Sequence, residues 1–366
     1  MAKQPDVAII GGGIIGMTCA YFLARERLRV ELYDRGDLGK EASWAGAGII
    51  PPGNVAGAAT PIDKLRAIGS ERFPGFSDEL RELTGIDNGY LRCGGIEFLL
   101  PDEVKEVTDM WTREGIAHER LSREALHHCE PAVAEMPGEP FLLPDCAQVR
   151  NPRHLRALIA ACERAGVMIK RNTPLESIDR LAREAGKVLV AAGAWSEALF
   201  RDHSRRGPGI HPVRGQIVLL KSPERLFTRV LMFGKRYLVP RLDGHVLVGS
   251  TEEPEAGFEK ANTAEAVADL LGLATRAVPT LSSAEVVKCW SGLRPGTPDG
   301  LPFIGPVPGC ENVFVAAGHF RAGVQLSIGT AQAIAELFIG NPTCVPLEAF
   351  AVDREPQVGN KPAFRS

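Results

Sequence analysis

Membrane and metal-site signals are missing from this sequence. Its eight cysteines form no C-x-x-C pair, and no neighbouring histidines complete the spacing of a zinc site. No apolar run approaches the roughly 20 residues of a membrane-spanning helix. The N-terminus also lacks the cationic start and apolar core of a signal peptide. We therefore expect a cytoplasmic protein with free thiols, no metal and no transmembrane segment.

A strong charge of either sign is also missing. The net charge is -3 over 366 residues, which gives no general attraction to nucleic acid or anionic lipid. The one short basic cluster, 201–207, lacks interleaved aromatic residues and is interpreted as a solvated loop. The chain is longer than most domains built around a single hydrophobic core, so two domains are expected.

A glycine-rich turn lies near the N-terminus. "GGGIIG" is a G-x-G-x-x-G match that follows the apolar run "DVAII" and opens the helical pattern "IIGMTCAYFLARE". The next alternating run ends in Asp34. Glycines permit close backbone approach to a pyrophosphate, the helix N-terminus attracts it, and the acid binds ribose hydroxyls. The pattern predicts a dinucleotide site, and Asp34 argues against a 2′-phosphate.

Two further stretches favour FAD over NAD as that dinucleotide. Residues 41–53, "EASWAGAGIIPPG", are mostly small, so the backbone could approach a flat ring closely. Residues 316–323, "AAGHFRAG", end a strand and begin a helix far from the first motif. A second helix N-terminus suits another part of a large cofactor.

The remaining patterns alternate between helices and strands. Helices are predicted at 70–85, 102–115, 151–166, 263–278 and 322–340, the third with Asn151 as its cap. Four strand-like runs between 215 and 250 predict an antiparallel sheet. The polar tail after Val352 is expected to be loose. Parallel-type strands at both ends of the chain predict one domain built from separated segments.

Arg294 lies in the otherwise apolar, glycine- and proline-rich run "SGLRPGTPDGLPFIG". A cation in such a setting normally has an anionic partner. That partner is either Asp299, five residues away, or a group outside the chain. The sequence alone leaves both possibilities open.

At this point the sequence resembles the D-amino-acid oxidase family of FAD-dependent amine oxidoreductases, most closely its glycine oxidases of thiamine biosynthesis. The resemblance covers nearly the whole chain and rests on the order of its motifs, which are "GGGIIG", "ASWAGAGI", "AAGAWS", "RYLVPR", "VGST", "WSGLRPGTPDGLPFIG" and "GHFRAG". It implies an α/β (α+β) fold with a Rossmann-like FAD-binding domain and an antiparallel-sheet substrate domain. The implied FAD-binding segments are 1–85, 140–210 and 290–366, and the substrate segments are 86–139 and 211–289.

The resemblance also implies which residues act. The implied cofactor-binding residues are Gly11, Gly13, Ile14, Ile15, Gly16, Asp34, Arg35, Ala42, Ser43, Ala47, Gly48, Ile49, Leu175, Ala192, Gly193, Trp195, His319, Phe320, Arg321, Ala322, Gly323, Val324 and Gln325. Arg294 would grip the substrate carboxylate, Tyr237 would donate its hydroxyl to it, and Arg321 would contribute at the same site. Each of these three side chains could instead have a structural role. Arg294 could brace a turn through Asp299, Tyr237 could be a core aromatic, and Arg321 could cap a helix or contact only the flavin.

The implied function is oxidation of glycine, sarcosine and D-alanine by hydride transfer to FAD. The products would be an imine or oxo acid, ammonia and hydrogen peroxide, with molecular oxygen as acceptor and a thiazole-forming enzyme as a partner. A homo-oligomer is expected. One rival is a dehydrogenase of D-amino acids or secondary amines that uses a quinone or protein acceptor, and another is a non-catalytic flavoprotein. The stretch after Arg294–Pro295 has no cysteine, so FAD is expected to be bound non-covalently.

The chain departs from the family pattern in four places. Glu252 follows the "VGST" turn where the family often has an apolar residue; it could reach the substrate amine, but the surface interpretation is favoured. Gln325 replaces an aliphatic residue, and Lys235 replaces a residue that can be histidine. Between Leu175 and Val190 a three-stranded meander is shortened to little more than "DRLAREAG". The helical spacing of Ile178, Leu181, Ala182 and Ala185 predicts a short helix or turn there.

Overall fold

The computed structural model describes residues 4–203 and 207–356, with side chains up to 200 and from 207 onward. Residues 204–206 of the predicted basic loop and residues 357–366 of the predicted loose tail lie outside these ranges. Residues 201–203 of that loop belong to a 3₁₀ segment. Within the described ranges, every helix is too short or too polar to span a bilayer.

Seventeen strands and nine α-helices are described. The strands are β1 (Val7–Ile10), β2 (Val30–Tyr33), β3 (Ile49–Ile50), β4 (Leu91–Arg92), β5 (Gly95–Leu99), β6 (Glu119–Arg120), β7 (Glu139–Leu143), β8 (Ala147–Gln148), β9 (Met168–Lys170), β10 (Lys187–Val190), β11 (His211–Lys221), β12 (Val230–Phe233), β13 (Arg236–Pro240), β14 (His245–Gly249), β15 (Glu285–Gly296), β16 (Phe303–Pro306) and β17 (Val313–Ala317). The helices are α1 (Ile14–Arg25), α2 (Ala42–Ala45), α3 (Pro61–Thr84), α4 (Pro101–Glu114), α5 (Arg123–Cys129), α6 (Asn151–Arg164), α7 (Asp179–Glu184), α8 (Ala264–Ala277) and α9 (Gly323–Phe338). Short 3₁₀ segments span Gly193–His203, Pro254–Ala256, Pro279–Ser283 and Glu348–Phe350.

A six-stranded sheet has the order β16-β17-β10-β1-β2-β9 and is parallel except at the β16–β17 pair. All four residues of β1 are buried, as expected for a strand covered by helices on both faces. Its strands come from three distant parts of the chain, as predicted. The carboxyl ends of β1, β2, β10 and β17 meet at one edge, where ligands bind in open α/β sheets.

Helices cover this sheet with apolar faces that pack into one core. α1 packs against α6 and α9, and α3 packs against α9. The Thr60 hydroxyl caps α3 by accepting from the Asp63 amide, and Gly85 ends it in the left-handed conformation. The prediction that Asn151 caps α6 was wrong, because Arg150 is the N-cap and Asn151 is the first helical residue.

An eight-stranded sheet has the order β15-β11-β14-β13-β12-β5-β7-β6. Its pairs are antiparallel except for β5 with β12, so the predicted antiparallel sheet is mixed at one position. Alternating residues face opposite sides: Val218 and Leu220 belong to the cluster packed under α8, whereas Ile217 shares a second cluster with Tyr237. A third sheet has three strands in the order β3-β8-β4.

The predicted domain boundaries cut two strands of the eight-stranded sheet. β7 runs across the boundary at 139/140, and β15 runs across the boundary at 289/290. The division of the chain into two domains therefore stays a prediction, with these strands assigned to the substrate side.

The shortened segment forms helix α7, so the prediction of a short helix before β10 is confirmed. Ile178, Leu181 and Ala185 are each at most 4% exposed and pack with Val188 and Val190 of β10. The short helix α7 thus covers this face of the sheet.

Replacing Leu181 with Ala should lower the free energy of unfolding by about 2–5 kcal/mol, because the deletion leaves a cavity in a buried cluster. Arg183→Ala on the exposed face of α7 is the matched control and should change stability by no more than about 0.5 kcal/mol. Urea unfolding of the cofactor-loaded proteins measures both. Equal stability of the two variants would contradict the packing of α7.

Candidate active site

The glycine loop lies at the carboxyl end of β1. Gly11 has φ +110, and a Cβ there would lie 2.4 Å from the carbonyl oxygen of Ala191, so only glycine fits. Gly13 is the N-cap of α1 and offers no side-chain cap, while the Ile14 amide donates to the Ser43 hydroxyl at 2.9 Å. The first turn of α1 is therefore open to an anion.

Asp34 lies beside this loop at the end of β2. Its carboxylate accepts hydrogen bonds from the Gly12 amide at 2.7 Å and the Gly36 amide at 2.8 Å, one on each oxygen. Two backbone donors therefore fix the carboxylate, and each oxygen keeps a lone pair for a hydroxyl group.

A cavity of about 380 Å³ runs from this loop to Arg294. The predicted cofactor residues that line it are Gly11, Gly13, Ile14, Ile15, Asp34, Arg35, Ala42, Ser43, Leu175, Ala192, Gly193, Trp195, His319, Phe320, Arg321, Gly323 and Val324. A smaller cavity of about 80 Å³ adjoins it and is lined by the predicted residues Ala42, Ala47, Gly48, Ile49, Tyr237, Arg294, Arg321, Ala322, Val324 and Gln325. Gly16 lines neither cavity, because it packs against the Gly11 carbonyl.

Residues 42–48, here the ring-side segment, connect the two cavities. Four of its backbone carbonyls accept hydrogen bonds from distant groups: Ser43 from the Asn151 amide (2.8 Å), Ala45 from the Trp290 indole (3.0 Å), Ala47 from Arg241 Nη2 (2.7 Å) and Gly48 from the Val149 amide (2.8 Å). Arg241 is 5% exposed, and burial lowers its pKa to about 10. The sequence analysis missed Arg241 as a site residue, although it shares the apolar face of Tyr237.

Arg294 projects from β15 into both cavities. Its Nη1 donates to the Thr251 carbonyl at 3.1 Å and its Nη2 to the Ser250 hydroxyl at 2.6 Å. Burial lowers its pKa, while the neighbouring Tyr237 hydroxyl and Glu252 act in the opposite direction. Among the described residues, no carboxylate lies within salt-bridge distance of Arg294.

Asp299 is not the partner of Arg294. Its two oxygens accept from Nε and Nη2 of Arg354, both at 2.8 Å, and the two side chains are 2% and 10% exposed. The alternative in which Asp299 neutralises Arg294 is therefore wrong. The remaining possibility is an anion from outside the chain.

Two glycines that the sequence analysis missed make room for these side chains. A Cβ at Gly215 of β11 would lie 2.2 Å from Arg294 Nη1. A Cβ at Gly249 of β14 would lie 2.7 Å from the Tyr237 hydroxyl, across the pair Tyr237↔Gly249. Glycine in a strand interior marks such close approach, which is the signal that could have found both.

Arg321 and Glu252 form an ion pair at the rim of the smaller cavity. Arg321 Nη1 lies 2.9 Å from Glu252 Oε2, and Lys235 Nζ lies 2.6 Å from Glu252 Oε1. Burial raises the pKa of Glu252, but the hydrogen bond from Lys235 and the charge of Arg321 outweigh it and lower the pKa overall. Glu252 is therefore not a free surface carboxylate: its side chain is 22% exposed and holds Arg321, although it does not itself line either cavity.

His319 and Gln325 have structural partners. His319 Nε2 lies 3.0 Å from the Thr330 hydroxyl, and burial lowers the pKa of the imidazole to about 3. His319 is therefore neutral at ordinary pH and is no acid. The buried Gln325 amide donates to the Pro51 carbonyl at 3.2 Å and the Ser70 hydroxyl at 2.8 Å.

These residues fit FAD. The glycine cradle and open first turn of α1 suit the pyrophosphate, and Asp34 at one side suits the ribose. The cavity then continues to the ring-side segment and to the start of α9, whose small residues leave space for a flat ring. Among the described residues, neither cavity is lined by cysteine, which agrees with non-covalent binding.

Replacing Gly215 with Ala should weaken binding of acetate about tenfold to a hundredfold, because the new methyl group displaces Arg294 and costs one charge-assisted hydrogen bond. Flavin absorbance during acetate titration measures the dissociation constant. Gly75→Ala on α3 is the control, since its Cβ would meet nothing within 4 Å. Unchanged affinity in Gly215→Ala would contradict the placement of Arg294.

Comparison with known proteins agrees with this geometry. The family described as FAD dependent oxidoreductase (DAO) matches residues 6–337. Glycine oxidase of Pseudomonas putida is 33% identical over 354 residues, covering 93% of this chain and 95% of that protein. Bifunctional protein ThiO/ThiG of Synechocystis sp. is 31% identical, covering 100% of this chain and 56% of that protein. The crystal structure of glycine oxidase from Geobacillus kaustophilus has a TM-score of 0.90 at 31% identity, covering 96% of this chain and all of that one. The chain therefore belongs to the DAO family of FAD dependent oxidoreductases.

Proposed function

We propose that this protein is an FAD-dependent oxidase of glycine and other small amino acids. The observation that supports this most is Arg294, a guanidinium that faces the cavity and has no carboxylate partner among the described residues. A partly buried cation without a counter-ion is a site for an anion. The similarity to glycine oxidases over most of the chain supports an amino-acid carboxylate as that anion.

Arg294 binds the substrate carboxylate in this proposal. Ser250 and Thr251 use two of its five N–H donors and fix the plane of the guanidinium, which leaves the others for a two-oxygen acceptor. The Tyr237 hydroxyl beside Arg294 donates to the same carboxylate. These contacts orient the α-carbon and leave the amine free of the anion-binding groups.

The size of the smaller cavity favours a small substrate. Its volume is about 80 Å³, and Gly215, Gly292 and the ring-side segment contribute small residues to its lining. We infer that glycine, sarcosine and D-alanine are accepted and that aromatic D-amino acids are poor substrates. Since one methylene changes specificity by only about 1–3 kcal/mol, the preference is graded.

The protein contributes positioning and charge neutralisation. FAD, when bound, supplies the two-electron oxidation. Arg294 neutralises the carboxylate and thereby orients the C–H bond of the substrate, while the site excludes water. No general base is required. His319 is a weak base, because burial lowers its pKa to about 3, and its Nε2 already contacts the Thr330 hydroxyl. The imine product then hydrolyses to an oxo acid and ammonia.

Several finer points belong to the same proposal. Molecular oxygen is the electron acceptor and yields hydrogen peroxide. The ThiO/ThiG relative supports a link to a thiazole-forming enzyme, which would consume the imine. The enzyme is a cytoplasmic homo-oligomer. A dehydrogenase with a quinone or protein acceptor is the alternative, and peroxide production separates the two.

Anaerobic mixing with glycine, sarcosine, D-alanine, D-proline and D-phenylalanine tests the function. Glycine should bleach the flavin absorbance, and admitting air should restore it with release of peroxide. D-phenylalanine should react far more slowly, because the smaller cavity lacks apolar volume for its ring. Rapid reaction of D-phenylalanine with none of glycine would refute the small-substrate proposal.

Replacing Arg294 with Ala should lower kcat/KM for glycine by roughly 30-fold to more than 1,000-fold, with a raised KM and retained FAD. Loss of one partner of a buried charge pair corresponds to about 2–5 kcal/mol. Steady-state peroxide assays and the ratio of flavin to protein absorbance measure the two effects. Arg183→Ala, an exposed arginine, is the control. Near-normal kinetics of Arg294→Ala would make Arg294 a structural residue.

A further inference from the structure

Three arginines line the smaller cavity, Arg66, Arg294 and Arg321, and two of them have a carboxylate partner. Arg66 pairs with Asp63 at 3.3 Å. Arg321 pairs with Glu252 at 2.9 Å and its side chain is 6% exposed. Its Nη2 also donates to the Lys235 carbonyl at 2.7 Å, which fixes the direction of the guanidinium. Arg294 donates to two uncharged acceptors, the Ser250 hydroxyl and the Thr251 carbonyl, and lies beside the Tyr237 hydroxyl. Of the arginines that line the cavity, Arg294 is therefore the one that has no carboxylate at salt-bridge distance among the described residues.

A single turn determines this asymmetry. Ser250 and Thr251 orient Arg294, and the next residue, Glu252, neutralises Arg321. Glu252 is 22% exposed and lines neither cavity, so it acts through Arg321. It is a positioning residue whose charge reaches the site through the ion pair with Arg321 and through its attraction on Arg294.

We propose that Glu252 determines the charge of the accepted substrate. It pairs with Arg321 at 2.9 Å and with Lys235 at 2.6 Å and so places a negative charge beside the cavity. The site therefore takes amines with one carboxylate and rejects amines with two, such as N-carboxymethyl amino acids. The inference rests on the proposed function, in which this cavity binds the substrate carboxylate.

Repulsion is the physical reason. A second carboxylate near Arg321 would lie close to the Glu252 carboxylate, and two like charges in a partly buried site destabilise each other strongly. Removing the negative charge of Glu252 exposes a second guanidinium to the cavity. The same site then suits a dianion, with one carboxylate on Arg294 and the other on Arg321.

Two unreactive ligands test the proposal without turnover. Methoxyacetate carries one carboxylate, and oxydiacetate carries two on the same ether skeleton. Both are titrated into the FAD-loaded wild type and the Glu252→Gln variant while flavin absorbance is followed. In the variant, the dissociation constant of oxydiacetate should fall on the order of tenfold, as for one added guanidinium–carboxylate contact, and that of methoxyacetate should change much less.

Glu255→Gln is the matched control, because it removes the same charge from an exposed side chain three residues away. It should leave both dissociation constants unchanged. Glu252→Met removes the charge with an apolar side chain and should act in the same direction as Glu252→Gln, whereas Glu252→Asp should retain the wild-type discrimination. No change in the ratio of the two constants in either neutral variant, or equal tightening of both ligands, overturns the proposal.

Turnover separates this inference from the proposed function. Iminodiacetate should gain in kcat/KM relative to sarcosine in Glu252→Gln, mainly through a lower KM. If glycine and sarcosine fail to reduce the flavin of the wild type, the proposed function is wrong. The titration with the two unreactive ligands still decides the role of Glu252 in that case.

Discussion

The backbone of residues 42–48 is the constraint on which both sides of the site depend. Four carbonyls of this short segment accept hydrogen bonds from α6, β15, the turn after β13 and the connection between β8 and α6. A buried backbone carbonyl without a donor costs free energy, so each of these parts of the chain is tied to the segment. The segment thereby holds the helices around the cofactor cavity in a fixed position relative to the eight-stranded sheet.

The strands that hold this segment also carry the substrate-binding groups. Trp290, which donates to the Ala45 carbonyl, and Arg294 lie on the same strand, β15. Arg241, which donates to the Ala47 carbonyl, shares a face with Tyr237. Because strands are stiff over four residues, the position of the carboxylate-binding groups follows from the position of the ring-side segment. A substitution that shifts the ring-side segment is therefore expected to shift the carboxylate-binding groups as well.

Sequence reasoning succeeded where the signal was local. The glycine turn with Asp34 lies within one strand–helix–strand unit, and the spacing of Ile178, Leu181 and Ala185 lies within two helical turns. It failed where the partner was distant or where local preference misled. Asp299 pairs with Arg354, 55 residues away, and Glu252 pairs with Arg321, 69 residues away, whereas Asn151 resembles a cap but donates to Ser43. Charge pairs made by tertiary packing leave no periodic pattern in a single sequence.

The order of strands in the six-stranded sheet has a consequence for synthesis of the protein. β1 pairs with β10, and β10 pairs with β17, which ends at Ala317. At translation rates of about 5–20 residues per second, on the order of half a minute passes between the synthesis of β1 and that of β17, the last parallel strand of the sheet. Until then, the edge of β10 that pairs with β17 has no partner strand. Cofactor binding at the edge where these strands meet is thus a late event in the life of each new chain, and a nascent chain that stalls before residue 313 cannot complete the cavity.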